Sequence, residues 1–185
     1  MLMLRRAFLA GMAFALTAAA VCSAFGAYDD PKLLSVEAAP GKVLATYTVD
    51  QLKKEFPLQS LTTQTPWTKD GQTIRFRGPF VKDVLARHGM AGQAAVQFIA
   101  YDSFVSEIRT EEIDAYAPIL AIERECSDAD RSKGVCDAGQ EYRPLSTKES
   151  GPIFIVWPLE KLPAAYVPAR NSIWVWFVVA VRPVP

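Results

Sequence analysis

The pattern of apolar and polar positions predicts a chain built largely of short strands. Polar and apolar residues mix in a strand-like pattern through residues 58–65, and an Asp-Gly turn signal then leads into "TIRFR", which predicts a hairpin. Other segments are rich in β-branched and aromatic residues, as strands typically are. These segments are "KVLATYTV", "AAVQFIAY", "FVSEIRT", "APILAIERE", "GPIFIVWP" and "SIWVWFVVAV".

Two segments show the spacing of short helices. In "TVDQLKKEF" the apolar residues Val49, Leu52 and Phe56 are spaced by three and four, and Thr48 or Asp50 can cap the first turn. The segment "PFVKDVLARHG" starts with a proline and stops at a glycine. "EEIDAY" predicts one further helical turn. Many strands, few helices and no repeats predict a single α+β domain with mixed β-sheets and a few short helices.

The N-terminal segment has the layout of a secretory signal peptide. Arg5 and Arg6 precede an apolar run at 7–21, and small residues follow it. We therefore expect residues 1–26 to be removed on export and the mature protein to lie in the periplasm. Lipidation of Cys22 stays open, although the bulky Val21 before it disfavours this modification. Residues 27–42 are then predicted to be an extended lead-in, and residues 43–185 the folded domain.

Charge and hydropathy exclude two classes of partner. The chain has 20 basic and 20 acidic residues, and loss of Arg5 and Arg6 with the signal peptide leaves a slight acidic excess. A nucleic-acid-binding protein would show a clustered basic surface, so no nucleic-acid partner is expected. The apolar run at 173–181 is about nine residues long, whereas a helical membrane span needs roughly 20. No membrane span is therefore expected after signal cleavage.

The remaining cysteines, Cys126 and Cys136, predict a disulfide. In an exported protein a pair of cysteines is most often oxidised, and a redox-active pair would more typically be spaced C-x-x-C. The loop between them is polar, which predicts a solvated, stapled hairpin tip. Asp128, Asp130 and Ser132 alternate as at the start of a calcium-binding loop. The glycine, however, comes at the seventh position instead of the sixth, and Gly139 stands where a bidentate glutamate is needed, so no metal is expected there.

Motifs for conventional catalysis are missing from the sequence. There is no G-x-S-x-G segment, phosphate loop or H-E-x-x-H motif. The only histidine, His88, follows the second predicted helix, where a cation is favoured by the helix dipole. The adjacent acids Glu111 and Glu112 point apart on any regular element, which argues against a shared acidic site. No residue is therefore predicted to be catalytic.

Seven segments, taken in order, resemble the molybdopterin-binding domain of the sulfite oxidase type. They are "YTVDQLKKEFP", "TTQTPW", "FRGPFVKDVLARHG", "AYDSFVSEI", "PILAIE", "GPIFIVWP" and "SIWVWFVVAV". The chain resembles the small, exported, single-domain form of this family over roughly residues 43–181. The most specific pieces are Trp67 with F-x-G-P-x-x-x-D-V-L, and the later "GPIFIVWP". These are framework motifs, so the resemblance implies a sulfite-oxidase-type fold more directly than an activity.

The resemblance also implies a missing ligand. In catalytic members a cysteine thiolate binds molybdenum shortly before the tryptophan, and the nearest residue here is Thr63. A soft thiolate is a good donor to molybdenum, whereas a threonine hydroxyl has little tendency to ionise near neutral pH. The family also holds the pterin phosphate with several basic residues. The corresponding region here has only scattered basic residues, namely Lys69, Arg75, Arg77 and Arg170.

A ligand cleft without the metal would draw on three segments of the chain. Asp102 could instead serve as a turn former, and the tryptophans could instead pack in the core. Arg170 could grip a carboxylate or phosphate of a ligand, or form a surface salt bridge with an acid such as Asp102. The candidate ligand-binding residues are Thr63, Thr65, Trp67, Asp102, Ser103, Arg170, Asn171 and Trp174.

Three functions remain open from the sequence. The leading hypothesis is a non-catalytic binding or accessory module for a small anionic or pterin-like ligand, or for a protein partner in the periplasm. The first alternative is a periplasmic molybdopterin-dependent oxidoreductase that binds its cofactor without a cysteine ligand, for example through Thr63. The second alternative is a sensor subunit of a membrane signalling system. Molybdopterin is therefore the one cofactor that the resemblance leaves open.

Overall fold

The computed structural model describes residues 28–69 and 71–185 of the chain. The predicted signal peptide, including Cys22, lies outside these described residues. The described chain is a mixed α+β fold with several β-sheets and a few short helices. The strands are β1 (Leu33–Ala39), β2 (Lys42–Thr48), β3 (Gln59–Thr63), β4 (Ile74–Gly78), β5 (Ala95–Ala100), β6 (Val105–Arg109), β7 (Ile119–Ala121), β8 (Glu123–Glu125), β9 (Tyr142–Pro144), β10 (Phe154–Val156) and β11 (Val178–Pro183). The α-helices are α1 (Val49–Glu55), α2 (Val81–Arg87), α3 (Thr110–Tyr116) and α4 (Asp128–Ser132).

The largest sheet has the strand order β2-β1-β11-β5-β6. Strand β1 runs parallel to β11, and the other neighbours are antiparallel. The segment predicted to be an extended lead-in supplies β1, whose Leu34 and Val36 are fully buried. Residues 33–39 therefore form a strand within this sheet, between β2 and β11.

A second sheet, of order β3-β4-β8-β9, lies beside the short pair β10-β7. The predicted hairpin is confirmed, since β3 and β4 pair from Gln59 opposite Gly78 to Thr63 opposite Ile74. Gly78 also brings β4 close to the next strand pair, because a Cβ atom there would lie 1.8 Å from the carbonyl oxygen of Leu120. No other residue type fits at this position without moving the backbone.

The short helices follow the predicted signals closely. Thr48 caps α1 in a capping box with Gln51, which satisfies two backbone donors. His88 follows α2, and its Nε2 lies 2.9 Å from the hydroxyl of Tyr47. Burial lowers the pKa of His88, and the neighbouring charge of Arg87 lowers it further. The histidine is therefore half-buried and hydrogen-bonded at the end of its helix.

The hydrophobic core joins the two larger sheets through a fully buried tryptophan. Trp157 follows β10, and its Nε1 donates a hydrogen bond of 2.9 Å to the carbonyl oxygen of Ile173. This bond ties the segment after β10 to the segment before β11. In the described part of the chain no helix has the length and apolar character needed to cross a bilayer.

Two predicted strands are shorter than expected. The segment "APILAIERE" splits at Ile122 into β7 and β8, because the Ile122 N–H turns to the carbonyl oxygen of Arg77. The prediction of one strand through "SIWVWFVVAV" is wrong for its first half, since β11 begins only at Val178. Asn171–Ile173 forms a 3-10 turn, and Phe177 has a left-handed backbone with φ of 50°. This irregular segment carries Trp174, which is 3% exposed, and the half-buried Trp176.

The disulfide between Cys126 and Cys136 is present, as predicted. The loop that it closes is not merely a solvated tip, because it contains helix α4. Ser127 and Asp130 form a capping box at the start of α4, a signal that the polar composition of the loop concealed.

Candidate ligand-binding site

Thr63, the residue nearest to the expected cysteine, is buried and fully hydrogen-bonded. It is 2% exposed at the end of β3. Its Oγ1 accepts the N–H of Leu159 at 2.9 Å, and its single proton can go to the carbonyl oxygen of Gln64 at 3.0 Å or to Glu160 at 3.2 Å. The hydroxyl therefore fastens the segment after β10 to β3 and does not line either cleft described below.

The turn after β3 presents a tryptophan to solvent. The hydroxyls of Thr65 and Thr68 lie 2.9 Å apart, and the Thr65 N–H donates to Thr68 Oγ1 at 2.9 Å. These bonds hold the turn that carries Trp67, whose surface is 50% exposed. The Trp67 ring packs edge to face on Trp176, with centroids 4.7 Å apart. The half-exposed indole of Trp67 is thus held in place by its own turn and by Trp176.

Two clefts meet at this pair of indoles, and both count Trp67 and Trp176 among their walls. We call the larger one, of about 370 Å³, the polar groove. We call the smaller one, of about 210 Å³, the aromatic pocket. The polar groove is lined, among others, by Thr65, Thr68, Lys69, Gln72, Arg124 and Glu149. Other walls of the aromatic pocket are Ala100, Asp102, Phe104, Asn171, Ser172 and Trp174.

The polar groove borders a network of buried charges. Arg124 donates to Asp130 at 2.8 Å, and Arg143 donates to Asp130 at 2.9 Å and to Glu149 at 2.6 Å. Burial opposes ionisation of Asp130, but hydrogen bonds from Arg143 and Ser127 outweigh it and hold its pKa well below the usual range. The hydrogen bond from Arg143 likewise lowers the pKa of Glu149. The charge of Arg124 is therefore already balanced.

Lys69 differs from Arg124 in this respect. It is exposed at the rim of the groove, and within residues 28–69 and 71–185 it takes part in no ion pair. Of the two cations that line the groove, Lys69 is therefore the one whose charge is not already paired with an acid among the described residues.

The aromatic pocket brings together half of the predicted candidates, namely Trp67, Asp102, Asn171 and Trp174. Asp102 Oδ1 accepts the N–H of Phe104 at 3.1 Å, which is the turn-forming bond that the sequence offered as the alternative. Two further wall residues have buried atoms without a partner among the described residues, Asn171 Oδ1 and Trp176 Nε1. These two atoms therefore keep hydrogen-bonding capacity that the described residues do not use.

Ser103 and Arg170 do not line either cleft. Ser103 has a φ of 70° in the β5–β6 turn, and its N–H donates to the carbonyl oxygen of Ala100 at 2.9 Å. Arg170 does not pair with Asp102. Its guanidinium donates to both carboxylate oxygens of Glu112, at 2.5 and 3.0 Å, because α3 brings this buried acid beneath the segment before β11. Arg170 thus anchors the segment that carries Asn171 and does not face a ligand.

Two aromatic walls of the aromatic pocket, Phe104 and Trp176, were not among the predicted candidates. Treating the last segment as one strand hid Trp176, although strand alternation puts it on the same face as Trp174. Phe104 follows the Asp102 turn, and its side chain is 43% exposed. An aromatic residue directly after a predicted tight turn was the signal that could have found it.

The residues present do not fit a molybdenum centre. Both cysteines within the described residues are joined in the disulfide, so neither supplies a thiolate. The Thr63 hydroxyl is engaged in three directions, as described above. In the same part of the chain, residues 28–69 and 71–185, no three His, Cys, Asp or Glu side chains cluster as metal ligands would. The walls of the two clefts offer a ligand aromatic surface, hydrogen-bonding groups and single charges.

Similarity to known proteins is found among solved structures. No protein-family model matches the chain, and no curated protein does. Among solved structures the chain is similar to the sulfane dehydrogenase SoxCD from Paracoccus pantotrophus, with a TM-score of 0.49 and 16% sequence identity. The likeness covers 83% of this chain and 39% of that one, so this chain spans about two fifths of the length of the protein it matches. The family suggested by the sequence motifs remains a prediction.

Proposed function

We propose that this protein is an exported, non-catalytic binding module that holds a small anionic, pterin-like ligand in the polar groove. The observation that carries the proposal is the half-exposed Trp67, fixed on Trp176 in the same cleft as Lys69. A fixed indole and a cation in one cleft suit a flat, negatively charged heterocycle. A pterin carboxylate or pterin phosphate has this chemistry.

Each wall of the groove has a distinct part in this proposal. The ring of Trp67 offers a face for a planar ligand, and aromatic pairs contribute about 0.5–1.5 kcal/mol beyond their buried area. Lys69 attracts the anionic group, while the amide of Gln72 and the hydroxyl of Thr68 can bond to ring nitrogens and oxygens. Arg124 adds less, because Asp130 and Glu149 already balance its charge.

The place of action in this proposal is the periplasm. The signal-like residues 1–26 motivate it, and the Cys126–Cys136 disulfide supports it, since such bonds persist mainly in oxidising compartments.

The oxidoreductase alternative fits the site less well. It would require Thr63 to give up the bond from Leu159 and to act as a metal ligand from a buried position.

A titration of purified protein with pterin-6-carboxylate tests the proposal. We expect saturable quenching of tryptophan fluorescence and a heat of binding by calorimetry. Trp67→Ala should weaken binding about 3- to 10-fold, from the stacking energy above. Lys69→Gln should weaken it by up to about 5-fold at low salt, and 0.5 M salt should remove most of that difference.

The matched control is Lys54→Gln, an exposed lysine on α1 that does not line the groove. It should bind the probe as the wild type does. Absence of saturable binding, or equal loss of affinity in Lys54→Gln and Lys69→Gln, would contradict the proposal.

A further inference from the structure

The aromatic pocket has a composition opposite to that of the polar groove. Rings from Trp67, Phe104, Trp174 and Trp176 line it, and among its described wall residues Asp102 alone carries a charge. The faces of aromatic rings carry negative electrostatic potential, so they attract cations, and tryptophan is the strongest of them. Four aromatic side chains and one carboxylate thus surround a space in which a cation is favoured.

The carboxylate of Asp102 keeps its capacity to attract a ligand. Only its Oδ1 is used, by the N–H of Phe104 at 3.1 Å, and Asp102 itself is exposed. In the part of the chain that the structure describes, Asp102 forms no ion pair, unlike the buried acids Glu112 and Asp130. An anion entering this pocket would meet an unbalanced negative charge. A cation would meet an unbalanced attraction.

The polar atoms of the wall indicate what kind of cation fits. Asn171 Oδ1 is a buried acceptor without a partner among the described residues, and such an atom adds further negative potential. An ammonium with three N–H groups needs several acceptors to replace its water, whereas a methylated ammonium is weakly hydrated and needs few. Aromatic walls with a single carboxylate therefore suit a quaternary ammonium better than a lysine side chain.

The volume limits the size of the ligand. A space of about 210 Å³ is below the range of roughly 300–1,000 Å³ for sites of drug-sized ligands. We propose that the aromatic pocket binds a small, free quaternary ammonium compound of the choline class. The trimethylammonium group would lie among the indoles, with Asp102 as its counter-charge. This site is separate from the anion site proposed for the polar groove, although Trp67 and Trp176 contribute to both.

The test compares choline with 3,3-dimethylbutan-1-ol, which has the same shape without the charge. Calorimetry or tryptophan fluorescence on the purified protein should show saturable binding of choline and at least tenfold weaker binding of the neutral alcohol. Asp102→Asn keeps the turn, because asparagine accepts the same backbone hydrogen bond, but it removes the charge. It should weaken choline binding while leaving the response to dimethylbutanol unchanged.

Variants of the walls give the second readout. Phe104→Leu should weaken choline binding roughly 2- to 30-fold, the range expected for one cation–π contact. Asp50→Asn, an exposed acid on α1, is the matched control and should have no effect. Equal binding of choline and dimethylbutanol, no choline binding, or equal effects of Asp50→Asn and Asp102→Asn would overturn the proposal.

The same assays distinguish this site from its neighbour and from a lipid surface. Lys69→Gln should affect pterin-6-carboxylate and not weaken choline binding, so failure of one proposal is separable from failure of the other. Co-sedimentation with phosphatidylcholine vesicles should show no capture of the protein. Capture by vesicles would overturn the assignment to a free small molecule.

Discussion

Replacement of Glu112 by glutamine should loosen the wall that both clefts need. Glu112 is 4% exposed and accepts hydrogen bonds from Tyr166 at 2.6 Å and from both ends of the Arg170 guanidinium. A glutamine has the same shape, but it lacks the charge and offers one acceptor oxygen in place of two. Hydrogen bonds to charged groups are worth about 1.5–3 kcal/mol, and Arg170 is only 31% exposed.

We therefore expect Glu112→Gln to lower the free energy of unfolding by about 2–3 kcal/mol. For a chain of this size that corresponds to a fall in Tm of roughly 4–12 °C. The segment before β11 carries Asn171 and Trp174, so tryptophan fluorescence and ligand affinity should change as well. Thermal and urea unfolding, followed by circular dichroism, measure the first effect. Asp114→Asn, an acid on the same helix, is the matched control.

The effect should also depend on pH with a defined sign. Burial raises the pKa of Glu112, but hydrogen bonds from Tyr166 and Arg109 and the charge of Arg170 outweigh it, so the net pKa is lowered from 4.5. A carboxyl with a lowered pKa contributes stability above its unfolded-state pKa and loses it as pH falls through the folded-state value. The stability difference between wild type and Glu112→Gln should therefore be largest above about pH 4.5. A difference that stays constant into strong acid, or no difference at pH 7, would refute the reasoning.

Two further changes to the protein and one titration test other contacts. Thr63→Val should lower the free energy of unfolding by about 1–3 kcal/mol, because the Leu159 N–H loses its acceptor. Thr63→Ser keeps the hydroxyl and should lower it less. Equal losses of stability in urea unfolding of the two variants would contradict the role of the hydroxyl. Removal of the Cys126–Cys136 disulfide by a double alanine substitution should lower stability by about 2–3 kcal/mol, and a variant as stable as the oxidised wild type would contradict this. NMR titration of His88, the only histidine, should give a pKa below 6.5, and a value above 6.5 would show that its burial does not control its ionisation.

Much of the local structure could be predicted because it rests on local signals. Thr48 caps α1 within the first turn of that helix, and the strand-like segments on either side of the Asp-Gly signal pair as β3 and β4. Strand β1 was harder to recognise, since it gains its stability from β11, which lies far along the chain. The polar surroundings of Leu34 and Val36 concealed that both would be buried.

The site could be predicted only in part, because it depends on irregular backbone. The turn at Phe177 lets Trp174 and Trp176 line the clefts, and a regular strand through "SIWVWFVVAV" would have placed them differently. Arg170 could not be assigned to Glu112 from the sequence, since their contact joins α3 to the segment before β11. Residue types indicated a ligand cleft, but the division into an acidic aromatic pocket and a groove that contains Lys69 needed the fold.

The molybdenum content of the protein purified from its native periplasm tests the central claim most directly. A binding module without a metal ligand should contain no stoichiometric molybdenum by elemental analysis, with one intact disulfide in each chain. One molybdenum atom per chain, retained through purification, would contradict the account and would make the protein an oxidoreductase with an unexpected ligand set.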